Sequence, residues 1–208
     1  MGTDDADRLR ETRAFFAARA AGWDARFGDD LPAYATAVAE AGIASPAVVI
    51  DVGCGTGRAL PALRSAAGPA GIVLAIDATW EMLAAAAERS RASTAPMIVA
   101  DALRLPLPAA SVTAVFAAGL LTHLPDPVAG LTEFARVTQD AGLLILFHPS
   151  GRAALAARKG YRLRDDDTLA EPVLTSLLAR TGWRLQRYDD APHRFFAVAY
   201  RNSEDRPI

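Results

Sequence analysis

Apolar positions recur along the chain in two patterns that alternate. Short, nearly continuous apolar runs rich in β-branched residues, each suited to a strand buried on both faces, lie at residues 48–50, 72–77, 97–101, 112–117 and 142–148. Between them, apolar residues return at every third or fourth position, which is the spacing of an amphipathic helix. This alternation predicts an α/β domain with a doubly wound, mostly parallel sheet, right-handed crossovers and helices on both faces.

The carboxyl-terminal part breaks the alternation. A helix predicted at residues 168–180 stops at Gly182, and two strand patterns, residues 183–189 and 194–200, then follow each other across a turn that contains Pro192 and His193. Two strands joined by so short a turn pair antiparallel. The sequence therefore predicts a terminal β-hairpin.

The amino-terminal part has only helical patterns. Residues 4–27 predict one helix, and residues 31–41 predict a second helix that Asp29 or Asp30 can cap, with Pro32 in its first turn. We assign residues 1–44 to a helical segment and residues 45–208 to the α/β domain, as parts of one domain overall.

Several further segments are predicted from local signals. Helices are expected at residues 58–67, where Pro61 lies in the first turn, and at residues 80–91 after Thr79 as a cap. Another helix begins at Pro125-Asp126-Pro127. The stretch 152–164 is rich in arginine and precedes three aspartates, so it is interpreted as a solvated charged loop.

Composition limits the classes of function. The chain has 208 residues, a formal charge of −2 and 51% hydrophobic residues, which fits one domain with a sizeable core. No overall basic field favours nucleic acid or an anionic membrane as a partner. The single cysteine, Cys54, cannot form an intramolecular disulfide, and no signal segment or long apolar run is present. We expect a cytoplasmic protein.

The densest chemical signal is a glycine loop between residues 48 and 60. The apolar run ends at Asp51, and Gly53, Gly55 and Gly57 follow before a helical pattern begins. Alternating glycines allow positive φ and let a ligand approach the backbone, so a strand, such a loop and a helix together indicate a nucleotide-type site. The alternative is a glycine-rich turn that holds no ligand. The spacing G-x-G-x-G also differs from the G-x-G-x-x-G of dinucleotide folds.

Acids end the next two strands. Asp77 closes the second strand, and a carboxylate at that place can accept both ribose hydroxyls of a nucleotide. Asp77 by itself does not show whether the bound nucleotide is NAD or another cofactor. Asp101 closes the third strand. The free N–H groups at the start of the helix after the glycine loop can receive a carboxylate.

With D-V-G-C-G-T-G at residues 51–57 and acids at these strand ends, the sequence resembles the class I S-adenosylmethionine-dependent methyltransferases of the small-molecule type over about residues 10–200. The resemblance implies a Rossmann-like, seven-stranded mixed sheet whose last strand is antiparallel. It also implies an N-terminal helical lid, S-adenosyl-L-methionine as cofactor and a small-molecule acceptor.

The resemblance also implies roles for individual residues. Asp101 would accept the adenine amino group and the Ala102 N–H would meet the ring, although Asp101 can instead cap the turn that follows it. Trp23 and Tyr34 are the candidates for ligand-facing lid residues, and the alternative is that both only pack the lid onto the domain. The predicted cofactor-binding set is Asp51, Gly53, Cys54, Gly55, Gly57, Asp77, Ala78, Met82, Asp101, Ala102, Ala118 and Trp23.

Two histidines are the candidates for catalysis. His148 ends the apolar fifth strand, and in open α/β sheets ligands bind beyond the carboxyl ends of the strands. His123 is expected at the mouth of the pocket, where the resemblance favours a positioning or structural role. Both histidines could also serve structure alone.

Other functions stay open at this stage. A protein that binds the cofactor without turning it over, and an NAD-linked oxidoreductase, are the two alternatives. The glycine spacing and the terminal hairpin disfavour the oxidoreductase. Because no cluster of cysteine, histidine or acidic residues has metal-ligand spacing, we predict no metal.

Overall fold

The computed structural model describes residues 3–27, 29–89, 91 and 94–203. Its centre is one sheet of seven strands in the order β3-β2-β1-β4-β5-β7-β6, which confirms the predicted seven-stranded mixed sheet. The strands are β1 Val48–Val52, β2 Ile72–Asp77, β3 Met97–Val99, β4 Val112–Ala118, β5 Thr138–His148, β6 Trp183–Ala191 and β7 Arg194–Arg201.

Helices connect the strands and form the amino-terminal segment. They are α1 Thr3–Ala17, α2 Trp23–Phe27, α3 Leu31–Glu40, α4 Leu60–Ala67, α5 Trp80–Glu88, α6 Pro127–Val137, α7 Arg152–Lys159 and α8 Glu171–Arg180. A short 3₁₀-helix spans Leu121–His123. The predicted start of α6 is confirmed: the Asp126 carboxylate accepts from the N–H groups of Val128 and Ala129, at 2.9 and 3.0 Å.

The order of the parallel strands determines where a ligand can bind. β1 pairs with β2 on one side and with β4 on the other, so the chain winds outward in both directions from this point. The crevice at such a reversal, beyond the carboxyl ends of the strands, is the usual ligand site of an open α/β sheet. The glycine loop after β1 lies at this reversal.

The terminal hairpin completes the sheet. β7 inserts between β5 and β6 and runs antiparallel to both, which confirms the expectation for the last strand. Its side chains join the main core, where Trp183 at the start of β6 is fully buried and its indole N–H donates to the Leu131 carbonyl of α6 at 3.0 Å. The hairpin is therefore a structural part of the domain.

The single helix predicted at residues 4–27 was wrong. α1 ends at Ala17, and α2 begins only at Trp23. Local bonds in the intervening turn, from Arg19 N–H to Phe16 O and from Trp23 N–H to Ala20 O, replace the continuous helical ladder. The break redirects the chain so that Ala20 is buried against Met82 and Ala85 of α5, a tertiary contact that a straight helix would not make.

The charged loop predicted at residues 152–164 was also wrong over most of its length. Residues Arg152–Lys159 form α7, whose Ala156 is buried, and the helix ends at Gly160 with φ +72°. Charge alone does not prevent a helix when one face can pack, and alanine and arginine are both good helix formers.

Smaller differences occur at element ends. α4 begins at Leu60, not at residue 58, since residues 56–59 are needed for the turn. The third strand ends at Val99 and not at Asp101, and α8 begins at Glu171 and not at residue 168. α5 ends at Glu88, short of the predicted residue 91. Fraying and turn geometry decide such boundaries locally.

Candidate active site

A cavity of about 790 Å³ opens at the carboxyl ends of the parallel strands, beneath the amino-terminal helices. Its volume lies within the roughly 300–1,000 Å³ typical of small-molecule sites. Every predicted site residue except Gly57 lines it: Trp23, Asp51, Gly53, Cys54, Gly55, Asp77, Ala78, Met82, Asp101, Ala102, Ala118, His123 and His148. The fold thus brings residues from across the sequence to one cavity.

The glycine loop is fixed by backbone hydrogen bonds. The N–H groups of Gly53 and Cys54 both donate to the Ile76 carbonyl of β2, at 2.8 and 3.0 Å. Gly55 has φ +54°, and a Cβ added there would meet nothing within 4 Å, because its free side faces the cavity. A ligand can therefore approach the backbone closely at Gly55.

Gly57 has a different position from its two partners in the motif. It does not line the cavity, and a Cβ added to it would lie 2.7 Å from Leu60 Cδ1 of α4. Its φ is +76°. This glycine serves the turn and the close packing of α4, whereas Gly53 and Gly55 form the cavity wall.

Asp51, on β1, is buried beside the loop, and no hydrogen bond from the described residues offsets the cost of burying its carboxylate. Both of its carboxylate oxygens are buried and have no hydrogen-bond partner in the described part of the chain. Burial, and then the charge of Asp77, raises the pKa of Asp51 to about 8. A cationic group placed in the cavity would give this carboxylate the partner that it lacks. The ammonium and sulfonium of S-adenosylmethionine are such groups, so the residues present fit this cofactor.

Asp77 supports the loop as well as facing the cavity. One carboxylate oxygen accepts from the Gly55 N–H and the other from the Thr79 N–H, both at 2.8 Å. Burial raises the pKa of Asp77, although these two hydrogen bonds act in the opposite direction. Each oxygen keeps a lone pair for a further donor, such as a ribose hydroxyl.

Asp101 combines the two alternatives that the sequence left open. Its Oδ1 accepts from the Leu103 N–H at 3.0 Å and so caps the turn after β3. Asp101 and Ala102 also line the cavity. Capping occupies one oxygen only, so it does not prevent Asp101 from facing a ligand.

Three small residues complete the wall near the loop. Ala78 and Ala118 follow or end β2 and β4, and their short side chains keep the crevice open. Cys54 is a free, buried cysteine. Burial raises the pKa of the Cys54 thiol well above its usual value, so the thiol is not a nucleophile at neutral pH.

Aromatic side chains of the amino-terminal segment both pack and line the cavity. The Trp23 ring lies 5.4 Å from that of Phe16, and the two pack beside Met82. The Tyr34 ring meets Phe147 edge-on at 5.0 Å. Trp23 and Tyr34 thus pack the segment onto the domain and also line the cavity. Phe16, which the sequence analysis did not single out as a site residue, is also part of the wall.

A cluster of charges fastens the amino-terminal segment to the glycine loop. The Asp24 carboxylate accepts from Thr56 Oγ1 at 2.5 Å and pairs with Arg91 at 2.8 Å. Arg58, nearly buried just after the loop, pairs with Asp24 and with Asp30. Burial alone would raise the pKa of Asp24, but the Thr56 hydrogen bond and the two arginines outweigh burial and lower it.

The sequence analysis missed this cluster. Its partners are 28 to 67 positions apart along the chain, from Arg58–Asp30 to Arg91–Asp24, so no local pattern joins them. The available signal was one arginine directly after the glycine motif and the unassigned acids of the amino-terminal segment.

His148 lies at the end of β5 with one ring nitrogen engaged. Its Nδ1 is 2.9 Å from the Ser150 carbonyl oxygen and 3.0 Å from the Ser150 nitrogen. In the tautomer whose Nδ1–H donates to the Ser150 carbonyl, Nε2 keeps a free lone pair, whereas in the tautomer whose Nδ1 accepts from the Ser150 N–H, Nε2 carries the proton. Burial lowers the pKa of His148, and Arg158 and Lys159 lower it further, while the bond to Ser150 acts against them. The ring is therefore neutral at pH 7.

His123 lies at the mouth of the same cavity, at the end of the 3₁₀-helix. Its ring meets Phe16 of α1 edge-on at 5.2 Å. Loss of water around the ring lowers the pKa of His123, and the positive charge of Lys159 lowers it further. This position joins the lid to the wall of the cavity.

No helix in residues 3–27, 29–89, 91 and 94–203 has the length and apolar composition needed to span a bilayer. No group of three or more histidine, cysteine or acidic side chains there could hold a metal ion.

Comparison with known proteins places this geometry in a family. Residues 50–146 match a family model described as a methyltransferase domain. The chain is 30% identical over 115 residues to a demethylmenaquinone methyltransferase from Staphylococcus carnosus, covering 55% of this chain and 48% of the relative. It is 34% identical over 101 residues to an uncharacterized 37.1 kDa protein in transposon TN4556 from Streptomyces fradiae, covering 48% of this chain and 29% of that protein. The chain thus spans about half the length, or less, of these relatives.

A solved structure extends the comparison over most of the fold. The crystal structure of a SAM dependent methyltransferase from Aquifex aeolicus has a TM-score of 0.64 and 25% sequence identity, and the match covers 80% of this chain and 88% of that one. The family match runs from β1 to β5, across the glycine loop and both predicted acid positions. Residues 50–146 therefore match a methyltransferase domain, and the fold is similar to that of a solved SAM dependent methyltransferase over 80% of this chain.

Proposed function

We propose that this protein transfers the methyl group of S-adenosylmethionine to a small-molecule acceptor. The observation that carries the proposal is Asp51, a buried carboxylate without a hydrogen-bond partner among the described residues, on the wall that also holds the exposed backbone of Gly55. A cavity that offers a cation site, a close backbone approach and strand-end acids fits this cofactor in charge and in shape. The likeness to a demethylmenaquinone methyltransferase supports an organic small molecule as acceptor.

Alignment is the main contribution that we assign to the protein. When bound, the cofactor would supply a methyl group activated by its positively charged sulfur, which would keep the electron pair of the breaking S–C bond as the acceptor atom forms the new bond to carbon, leaving neutral S-adenosylhomocysteine. The chain would hold the acceptor in line with the methyl group, an effect worth up to about 7–11 kcal/mol.

His148 is our candidate for the residue that accepts a proton from the acceptor. An acceptor hydroxyl or ammonium must lose a proton when it is methylated, and a neutral imidazole with a free Nε2 can accept it. The lowered pKa and the Ser150 hydrogen bond support this role. We assign His123 a positioning role, because its ring packs against Phe16 of the lid.

Binding and turnover are tested separately. Calorimetry with S-adenosylmethionine and S-adenosylhomocysteine should show binding, with NADH as the negative control. Incubation with a metabolite extract should then produce S-adenosylhomocysteine and one product heavier by a methyl group. Tight binding without any such product would favour the non-catalytic, cofactor-binding alternative, and binding of NADH alone would contradict the proposal.

A further inference from the structure

Basic side chains gather at the end of the cavity away from the glycine loop. Arg13 of α1, Arg158 and Lys159 in the last turn of α7, and Arg162 just beyond it all line the cavity. Within the described ranges, none of these four pairs with a carboxylate. Their charge is therefore available to a ligand.

The two acids that line this end of the cavity are already engaged. Asp166 accepts from the guanidinium of Arg164 at 2.6 and 2.7 Å. Asp167 lies 3.9 Å from Arg152, which also reaches Asp190 at 3.5 Å. These pairs leave the four other basic side chains as an excess of positive charge, in a chain whose formal charge is −2.

The opposite end of the cavity has the reverse character. Asp51, Asp77 and Asp101 face it from three strand ends, and the nearby Arg58 is held by Asp24 and Asp30. The cavity is thus acidic where the cofactor's positive groups fit and basic at its other end. A cleft with low-dielectric walls concentrates such fields, so each end selects for the sign of its ligand.

The end of α7 is built to turn its basic residues toward the cavity. Gly160 N–H bonds to Ala157 O and Tyr161 N–H to Ala156 O, which is the bond pattern of a Schellman motif. The left-handed Gly160 reverses the chain, and Tyr161 and Arg162 after it line the cavity, as Arg158 does.

The basic end adjoins the proposed site of methyl transfer. Arg158 Nη1 is 3.4 Å from Ser150 Oγ, and the Ser150 carbonyl is the partner of His148. Apolar side chains, among them Leu155, Leu169 and Phe195, line the same region. A ligand that fills it would need an apolar body and a negative group.

We propose that the acceptor is an anionic, amphipathic small molecule whose acidic group is bound by Arg158 and Lys159, with Arg13 and Arg162 adding positive charge to the same cavity. The inference rests on the proposed methyl transfer, because it names the substrate class of that site. Arginine and lysine together bind a carboxylate-type group through charge-assisted hydrogen bonds. The same cations would favour the ionised form of an acidic acceptor beside His148.

The test compares two fluorescent probes that share their rings and differ in charge. Anilinonaphthalene sulfonate carries one negative group, and phenylnaphthylamine is the same ring system without it. Both are titrated into the full chain saturated with S-adenosylhomocysteine. We expect the sulfonate to bind at least about 10-fold more tightly, with an affinity that falls as salt is added.

The variant Arg158→Gln/Lys159→Gln should lose about 10-fold in sulfonate affinity and change phenylnaphthylamine affinity less than twofold. The matched control is Arg180→Gln/Arg184→Gln, which removes the same charge from exposed residues that do not line the cavity. An equal affinity for the two probes in the wild-type chain, including no binding of either, would overturn the inference. So would an equal loss in the variant and the control.

The same titrations separate this inference from the proposed function. S-adenosylhomocysteine affinity is measured for each variant by calorimetry. If S-adenosylhomocysteine binds but the sulfonate is not preferred, only the anionic acceptor is wrong. If S-adenosylhomocysteine does not bind, the proposed function fails, and the probe titrations are repeated on the chain alone to judge the basic end by itself.

Discussion

Asp51 holds a carboxylate where the fold gives it no hydrogen-bond partner among the described residues. Its strand neighbours Val49, Ile50 and Val52 are buried apolar residues, so an uncharged side chain would suit the core better. A buried polar group that costs stability is expected where function requires it. At the scale of single residues, Asp51 therefore lowers the stability of the fold and, in our proposal, serves to bind the cofactor.

The first prediction concerns pH. The pKa of Asp51 is about 8 in the folded chain and about 3.9 when unfolded, so its stabilising contribution is complete below pH 4 and is lost as pH rises through 8. Asp51→Asn removes this loss. We compare the melting temperatures of the variant and the wild type, both without cofactor. The melting temperature of the variant minus that of the wild type should increase from pH 5 to pH 9, by about 2–4 °C for each kcal/mol of stability that the wild type loses. A difference that does not change with pH would contradict the assigned pKa.

The same variant should bind the cofactor poorly. Loss of a charge-assisted contact costs about 1.5–3 kcal/mol, so we expect S-adenosylmethionine affinity to fall at least about 10-fold at pH 8. Calorimetry measures it. Unchanged affinity would remove Asp51 from the cation site.

The second prediction separates backbone strain from ligand approach. Gly55 and Gly42 have φ of +54° and +69°, and a Cβ added to either meets nothing within 4 Å, but Gly42 does not line the cavity. Gly55→Ala and Gly42→Ala should each lose about 1–2 kcal/mol of stability. Only Gly55→Ala should weaken S-adenosylhomocysteine binding, by at least about 10-fold. Equal affinities in the two variants would mean that Gly55 serves the turn alone.

The third prediction concerns His148. Once an acceptor is identified, His148→Ala should lower kcat by about 10² or more and leave cofactor affinity within about twofold. Because the pKa of His148 lies below its usual value, the wild-type rate should be flat above about pH 6.5 and fall at lower pH. His193→Ala, an exposed histidine in the hairpin turn, is the control. A small loss with the same pH profile would demote His148 to a positioning role.

At the scale of elements, the amino-terminal helices act on the site through one ionic cluster. α2 carries Asp24, and the glycine loop and its surroundings carry Thr56, Arg58 and Arg91. Such partly buried, hydrogen-bonded pairs hold two elements together more strongly than surface pairs do. Because the cluster joins the lid to the loop, opening of the lid and release of the cofactor should be coupled.

The fourth prediction tests this coupling. Asp24→Asn removes the charge at the centre of the cluster, so we expect the dissociation rate of S-adenosylhomocysteine to rise about 10-fold, measured by stopped flow. Asp7→Asn on the exposed face of α1 makes the same change of charge and should leave the rate unaltered. If both variants release the cofactor at the wild-type rate, the cluster does not restrain the lid.

At the scale of the whole molecule, the terminal hairpin links the site to the core. β7 pairs with β5 from Leu143 to His148, so it supports the strand that presents the candidate base. Trp183, at the start of β6, is completely buried and bonded to α6. The hairpin therefore contributes to stability throughout the fold but contacts the cavity only at its edge, through Phe195.

The fifth prediction follows from that separation. Trp183→Phe leaves a gap and removes the indole hydrogen bond to the Leu131 carbonyl, so it should destabilise the chain by about 2–4 kcal/mol in chemical denaturation. Cofactor affinity should stay within about twofold. Trp80→Phe, at a side chain that is 63% exposed, should be nearly neutral. A strong loss of affinity in Trp183→Phe, with the fold intact, would show that the core and the site are coupled.

The sequence by itself determined the strands, their order of appearance and the residues at their ends. Continuous apolar runs, alternating glycines and strand-end acids are local signals, and the topology of parallel strands brings Asp51, Asp77 and His148 to one edge whatever the details. The terminal hairpin was equally predictable, because its turn is short. These features follow from backbone geometry and from the burial of apolar residues.

Only the tertiary structure decided which elements bend and which charges meet. α1 stops at Ala17 because the turn buries Ala20 against α5, and α7 is a helix because Ala156 can pack. Gly57 faces α4 and not the cavity, a difference that spacing alone does not show. The Asp24 cluster and the basic end of the cavity depend on contacts between distant segments. A side chain's role there is determined by its partners in space, which no local pattern encodes.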